Sequence, residues 1–241
     1  MGPSESAGAG AAPCQSRAPD QQLEPSWWRP DEVLTGTAQA GREPSEPPAP
    51  RLVLINRQQP EVRRAMAAVA GLLDSGEIRQ LEKQRRQEDR ERFLVGRGVL
   101  RLVLGAWLGL DPASFTFRIG PYGKPELAGV GLRFNVSHSG DLILMGFHPS
   151  RDVGVDVEQL RPVPEWEGIA RRCLPQGDWE AIRALPEGQR GDAFLAAWCR
   201  LEARLKARGL GLFGLEASVG PDPEVWPLAL PRGYVGAAAL A

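Results

Sequence analysis

The stretch AWCRLEARLKARGLGLFG, Ala197–Gly214, decides how the chain is read. Its tail holds Gly209, Gly211 and Gly214 at the GxGxxG spacing of a dinucleotide fingerprint, and its head sets Trp198, Glu202 and Lys206 four residues apart. A GxGxxG cradles a pyrophosphate only when a strand runs into it and a helix leaves it, because the helix N-terminus must face the anion. Here Ala, Leu, Arg and Lys, all strong helix formers, dominate 197–208, so a helix enters the glycines instead. Gly209 stands where a C-cap glycine belongs, with Lys206 and Arg208 suiting the negative end of the dipole. The glycines end a helix. Any chemistry belongs to the face that carries Trp198, Glu202 and Lys206. Alone, that face is an ordinary surface Glu–Lys pair beneath a core tryptophan.

Other stretches give it weight. DVGVDVEQL, residues 152–160, alternates strictly: Val153, Val155 and Val157 point one way, and Gly154, Asp156 and Glu158 the other. Two carboxylates aimed together repel unless a cation or hydrogen-bond donors lie between them. With no His or Cys nearby, such oxygen donors suit Mg²⁺ before Zn²⁺; otherwise they are a solvated strand face. FNVSHSGD, residues 134–141, surrounds His138 with Ser137, Ser139 and Gly140, a phosphate cradle or a small polar hairpin turn. YGKPEL, residues 122–127, reads as a Gly/Pro turn, and Arg97 and Arg101 as basic points on an apolar helix face that would snorkel to water.

Around these landmarks the chain mixes helices and strands. RLVLIN (51–56) is the first strand; helices are expected over 60–73 and from Asp74 and Ser75 through Glu91 into an apolar stripe ending near Gly105 and Gly109. FTFRIGPYGKPEL reads as strand, turn, strand. Two strands flank a polar insert at Ser137–Asp141, and EVWPLALPRGYVGAAALA supplies two final strands. Short turns between neighbouring strands favour an α+β fold over a doubly wound sheet. Residues 51–150 and 151–241 have comparable content without a sequence repeat, and 1–50, rich in Gly, Ala, Ser and Pro, read as a disordered extension. Trp27 and Trp28 are the exception, expected to pack or dock on the body.

Composition bounds the function. Of 241 residues 42% are hydrophobic, and 29 basic against 30 acidic residues give a net charge of −1. Such a balance exerts no global pull on nucleic acid or anionic lipid. The basic helix RQLEKQRRQEDRERFLVGR interleaves acidic residues, the mark of a solvated face. Three cysteines and two histidines lack the spacing of a zinc site or a disulfide framework, which suggests a reducing, cytoplasmic compartment. No apolar run has the length of a membrane span, and the N-terminus lacks the regions of a secretory signal; MGPSES fits Gly2 acylation only loosely, with Pro3 against it.

Taken in order, GKP (Gly123–Pro125), FNVSHSGD, VGVDVE, FLAAWCRLEARLKARGLGL and GYVGAAALA resemble the motifs of the 4′-phosphopantetheinyl transferase superfamily. The longer two-domain type, typified by the surfactin-synthetase activator (Sfp-like), is the nearest in pattern, and the resemblance covers residues 51–241. It implies two similar α/β subdomains, 51–150 and 151–241, forming a pseudo-dimer within a monomer. It implies transfer of the phosphopantetheine arm of coenzyme A to a serine of an apo acyl or peptidyl carrier protein, releasing adenosine 3′,5′-bisphosphate. By motif, Asp156, Glu158 and Glu202 would hold Mg²⁺, and Lys206 would contact phosphate. Ser137 and His138 would contact the coenzyme A phosphates, Gly123, Lys124 and Pro125 would border the adenine, and Arg97 would reach the 3′-phosphate. The incoming serine needs a proton acceptor, Glu202 or a water beside it. One departure stands out. The family usually reads W-x-x-K-E-A, and here that Lys is Leu201, with Arg200 one place earlier and about 100° round the helix. A coenzyme A-binding module impaired in catalysis is therefore the alternative.

Overall fold

The computed structural model describes residues 22–29, 49–120, 124–127, 129–211 and 221–241. Tyr122, Gly123 and Gly214 lie outside the described residues.

The architecture follows from strands whose two faces are both apolar. β2 (Arg51–Asn56) and β6 (Leu142–His148) send Ile55, Ile143, Met145 and Phe147 to one side and Leu52, Leu54, Leu142 and Leu144 to the other. The first side is covered by α1 (Pro60–Ala70) and α3 (Gln87–Leu108), whose Val62, Val69, Val95, Val99, Leu100 and Leu104 complete a core with it. The second side meets β7 (Val153–Gln159), whose Val153, Val155 and Val157 join Trp226 and Leu240. Beyond that sheet lies α6 (Glu187–Ala207), seated through Cys199, Ala203 and Ala207 on Ala237 and Ala239. Helices, sheet, sheet and helix thus stack as four layers. The first sheet runs β1 (Ser26–Trp27), β2, β6, β5 (Arg133–Ser139), with β1 parallel to β2 and the rest antiparallel. The second is β7, β9 (Tyr234–Leu240), β8 (Glu224–Pro227), all antiparallel. A hairpin of β3 (Phe117–Ile119) and β4 (Pro125–Leu127) flanks them, and α4 (Trp166–Cys173) and α5 (Gln176–Ala184) pack beside α6. The mixed helices and sheets make the fold α+β. Among the described residues, no helix is long and apolar enough to cross a membrane.

Several expectations are corrected. The long helix from Asp74 is two: α2 (Ser75–Lys83) stops, Gln84 and Arg86 are extended, and α3 begins afresh. The break lets α2 fold back on α3, where the capping box of Asp74 and Glu77 binds arginine. Arg101 does not snorkel. It is fully buried, with Nε to Glu77 at 2.9 Å, Nη2 to Asp74 at 3.1 Å and Nη1 to the Pro112 carbonyl at 3.0 Å. Ser137, His138 and Ser139 are not a turn insert but lie within β5.

Of the two tryptophans that the sequence suggests dock or pack locally, Trp28 docks its side chain and Trp27 leaves its ring exposed. Residues 22–29 touch both sheets: the Leu23 amide donates to Pro227 and its carbonyl accepts from Ala229, while the Trp28 amide donates to Leu54. Trp28 is 4% exposed in the first core and Trp27 39% exposed. Removing a buried indole leaves a cavity, so Trp28→Ala is expected to cost about 3 kcal/mol and lower Tm by about 6–12 °C. Trp27→Ala should leave the melting curve where it is. An unchanged melt for Trp28→Ala would mean that the strap contributes nothing.

Candidate active site

β7 has one edge on β9 and another free. The free edge is finished by side chains rather than by a strand. Asn135 Oδ1 accepts from the Val155 amide at 2.9 Å, Ser137 Oγ from Val157 at 3.4 Å and Ser139 Oγ from Gln159 at 3.0 Å. Residues 135, 137 and 139 share one face of β5 because strand side chains alternate. Strand amides need partners, and these three supply them, the first two to buried amides.

The same face meets the acidic residues. Asp156 is buried; its Oδ1 accepts from Ser137 Oγ at 2.8 Å and from Lys206 Nζ at 2.6 Å. Lys206 Nζ also reaches the Val155 carbonyl at 3.3 Å and Ser137 Oγ at 3.4 Å. Asp156 Oδ2 is buried with no hydrogen-bond partner. Glu158 accepts from Ser139 Oγ at 2.8 Å and from Arg161 at 2.7 Å. Glu202 stands one turn before Lys206 on α6. Burial pushes its carboxyl above the usual range, Lys206 opposes that, and Asp156 and Glu158 add to it. Glu202 therefore feels the charge of both other carboxylates. Among the described residues, however, no three His, Cys, Asp or Glu side chains are gathered as a metal cage. It is the Lys206 ammonium that sits against Asp156 Oδ1. The donor set is all hard oxygen, with one orphaned buried oxygen and one carboxyl raised by burial and, to a lesser degree, by its two acidic neighbours. Those features fit a divalent cation in kind.

α6 ends as expected. Gly209 is left-handed at φ +66°, the Leu210 amide donates to Leu205 at 2.8 Å and the Gly209 amide to Lys206 at 3.2 Å, a full Schellman closure. Leu201 packs with Trp198 onto the core of Phe194 and Ala170. Arg200 pairs with Asp178 at 3.6 Å, so it does not replace the missing lysine beside Glu202.

Two cavities open at this place. One, of about 210 Å³, is lined by Lys124, Pro125, Asn135, Glu202, Lys206 and Gly209. The other, of about 150 Å³, is lined by Arg92, Phe93, Arg97, Pro125, Val136 and His138. Pro125 and Val136 belong to both, so the cavities share a wall. Alternation along β5 sends His138 to the second cavity and Ser137 to Asp156, which separates two residues that the sequence suggests act together. Burial, then the charge of Arg92, pushes the His138 imidazole below its ordinary pKa, so it is neutral near pH 7. Arg97 pairs with Glu77 at 3.1 Å, lies over the Phe117 ring at 4.9 Å and keeps Nη1 buried without a partner. Arg92 gives no signal in the sequence, since it is one charge among many in DRER. Asn135 and Ser139 are visible there once 135, 137 and 139 are read at period two. The Cys199 thiol, fully buried behind Asp156 and pushed up by burial and by that carboxylate, is inert.

Residues 58–150 match the family model described as 4′-phosphopantetheinyl transferase, N-terminal, and residues 152–224 that of the 4′-phosphopantetheinyl transferase superfamily. The 4′-phosphopantetheinyl transferase HetI of Nostoc sp. is 36% identical over 183 residues, covering 70% of this chain and 76% of that protein. A 4′-phosphopantetheinyl transferase of Bacillus subtilis is 35% identical over 156 residues, covering 63% of this chain and 65% of its own. The 4′-phosphopantetheinyl transferase Sfp of Bacillus subtilis is 31% identical over 135 residues, covering 54% and 59%. The two family-model matches take in β5 and β7 respectively, the strands that bring the serines to the carboxylates. The chain belongs to the 4′-phosphopantetheinyl transferase superfamily and is of its Sfp-like type.

Proposed function

We propose that the chain transfers the 4′-phosphopantetheine arm of coenzyme A to a serine of an apo acyl or peptidyl carrier protein, with Mg²⁺ as cofactor. The observation that carries this reading is the orphaned, buried Asp156 Oδ2 beside Lys206, on a carboxylate whose charge reaches Glu202. Asp156, Glu158 and Glu202 would hold the ion. When bound, it neutralises charge on the pyrophosphate.

This chain's own residues do the rest. Lys206, tied to Asp156, supplies a positive charge where the leaving phosphate gains a negative one. His138, Arg92 and Arg97 line a cavity of a character that suits the 3′-phosphate. Pro125 and the backbone at Lys124 border the adenine side, the Lys124 ammonium being turned to the Val153 and Lys206 carbonyls, and Gly123 belongs to the same motif. The carrier serine Oγ bonds to the phosphorus bearing the arm, and the bond from that phosphorus to the bridging oxygen breaks. Adenosine 3′,5′-bisphosphate leaves with the electron pair. The serine proton goes to Glu202 or to a water beside it. Residues 51–150 and 151–241 act as two subdomains of one monomer, since β5 supplies the polar groups that β7 needs.

A second reading, a coenzyme A-binding module impaired in catalysis, is favoured by Leu201 being packed in the core and by Arg200 being engaged elsewhere. One experiment separates the two. Incubation with coenzyme A, Mg²⁺ and several apo-carriers should add the mass of one arm to at least one carrier. Binding of coenzyme A without any mass addition would leave the second reading. Failure of both would defeat the first and the second together.

A further inference from the structure

Lys124 heads β4 in the hairpin that walls the first cavity. Its ammonium is turned toward backbone. Nζ donates to the Val153 carbonyl at 3.2 Å and to the Lys206 carbonyl at 3.2 Å. Each acceptor has a meaning. Val153 lies on the free edge of β7, the edge that Asn135, Ser137 and Ser139 finish further along. The next carbonyl on that edge, Val155, is taken by Lys206 Nζ. The Lys206 carbonyl is in the last turn of α6, where it also accepts from the Gly209 amide of the Schellman closure and the dipole is negative. Two lysines thus grip neighbouring carbonyls of one strand edge, and the first also holds the backbone of the second. Burial, opposed by Asp152 and Glu126, lowers the proton affinity of the Lys124 ammonium, as befits a group withdrawn from water.

We propose that Lys124 is a positioning residue: by holding the Val153 and Lys206 carbonyls together it fixes the last turn of α6, and so sets the Lys206 ammonium against Asp156. The β3–β4 hairpin becomes a clasp that links the cavity wall to the charged centre. This rests on the transferase reading for its kinetic consequence, while the clasp itself stands on geometry alone.

Lys124→Met keeps the stem and removes the donors. In the full chain, hydrogen exchange at the amides of Arg208, Gly209 and Leu210 should speed up, with the amides of α3 unchanged. Unchanged exchange at the three amides would overturn the clasp. In carrier labelling, kcat should fall by about tenfold to a hundredfold, with the KM for coenzyme A within about twofold. A raised KM at unchanged kcat would instead make Lys124 a ligand contact and overturn the proposal. The decisive arm is a double-mutant cycle. In a Lys206→Ala background, Lys124→Met should change kcat by less than about twofold, because its effect runs through the group already removed. An equal further drop in that background would overturn it. A wild-type chain that modifies no carrier would defeat the functional reading by itself, and the exchange arm would still decide whether Lys124 holds the turn.

Discussion

Asp156→Ala is expected to lower carrier modification by at least about a thousandfold while leaving the fold standing. Asp156 is the point where three requirements meet. It is the partner of the Lys206 ammonium at 2.6 Å and the acceptor for Ser137 at 2.8 Å. It also owns the buried carboxylate oxygen left without a partner. On the proposed reading, removing the side chain takes away a ligand of the divalent ion, and it frees Lys206 from the carboxylate that holds it. Losing one fixed electrostatic group in a dry site already costs about a hundredfold to a thousandfold, and the proposed ion site would be lost with it. The fold suffers far less. Breaking a fully buried pair is expensive because the surviving charge is stranded, but the Lys206 side chain is 27% exposed and can turn to water. A stability loss of about 1–2 kcal/mol follows once that exposure is allowed for. Glu158→Ala and Glu202→Ala should likewise lose turnover and keep the fold. Intact-mass labelling and a thermal melt on one preparation measure both quantities. Wild-type turnover in Asp156→Ala would mean that the carboxylates hold no catalytic ion.

What could be read in the sequence was local and periodic. The alternation of VGVDVE puts three valines between the sheets and Asp156 toward α6, as the period of two requires. Gly209 is legible as a helix stop because only its backbone freedom is at issue. Features that depend on distant partners were not legible. The break between α2 and α3 is needed only because Arg101 draws Asp74 and Glu77 onto α3, a contact that no window of helix propensity contains. Ser137 and Ser139 look like turn residues by composition. They are strand residues because β7 offers them amides some twenty positions away. Composition also hides the strap of residues 22–29, whose pairing partners are Leu54 and Pro227. The site lies where the first kind of information meets the second. Its acids are legible, whereas the side chains that orient them are set by tertiary contact.

Gly154→Ala is expected to be the most disruptive added methyl among the described glycines. The same alternation that aims Asp156 at α6 aims position 154 there too, two residues earlier on the same face. A Cβ built at Gly154 would lie 2.0 Å from the Ala203 carbonyl oxygen, 2.4 Å from the Ala207 amide nitrogen and 3.0 Å from the Lys206 carbonyl carbon. All three are helix backbone, so no rotamer change relieves the clash. α6 rides this close because its inner face is Cys199, Ala203 and Ala207, set on Ala237 and Ala239. Overpacking usually costs about 1–3 kcal/mol when side chains can yield; with backbone on the far side a loss of about 3 kcal/mol or more is expected, lowering Tm by about 6–12 °C. Transfer should fall further than stability does, because a helix lifted from β7 carries Glu202 and Lys206 away from Asp156. Gly168→Ala is the matched control. That glycine lies inside α4, and a Cβ there meets nothing within 4 Å, so the methyl should stabilise by about 0.5–1 kcal/mol through helix propensity alone. The same added atom is thus given opposite signs at two positions, and melts of the two variants measure the difference directly. A Gly154→Ala protein with wild-type Tm and transfer would mean that α6 is not seated on β7 at this point, and with it the shared placement of Asp156, Glu202 and Lys206 would lose its foundation.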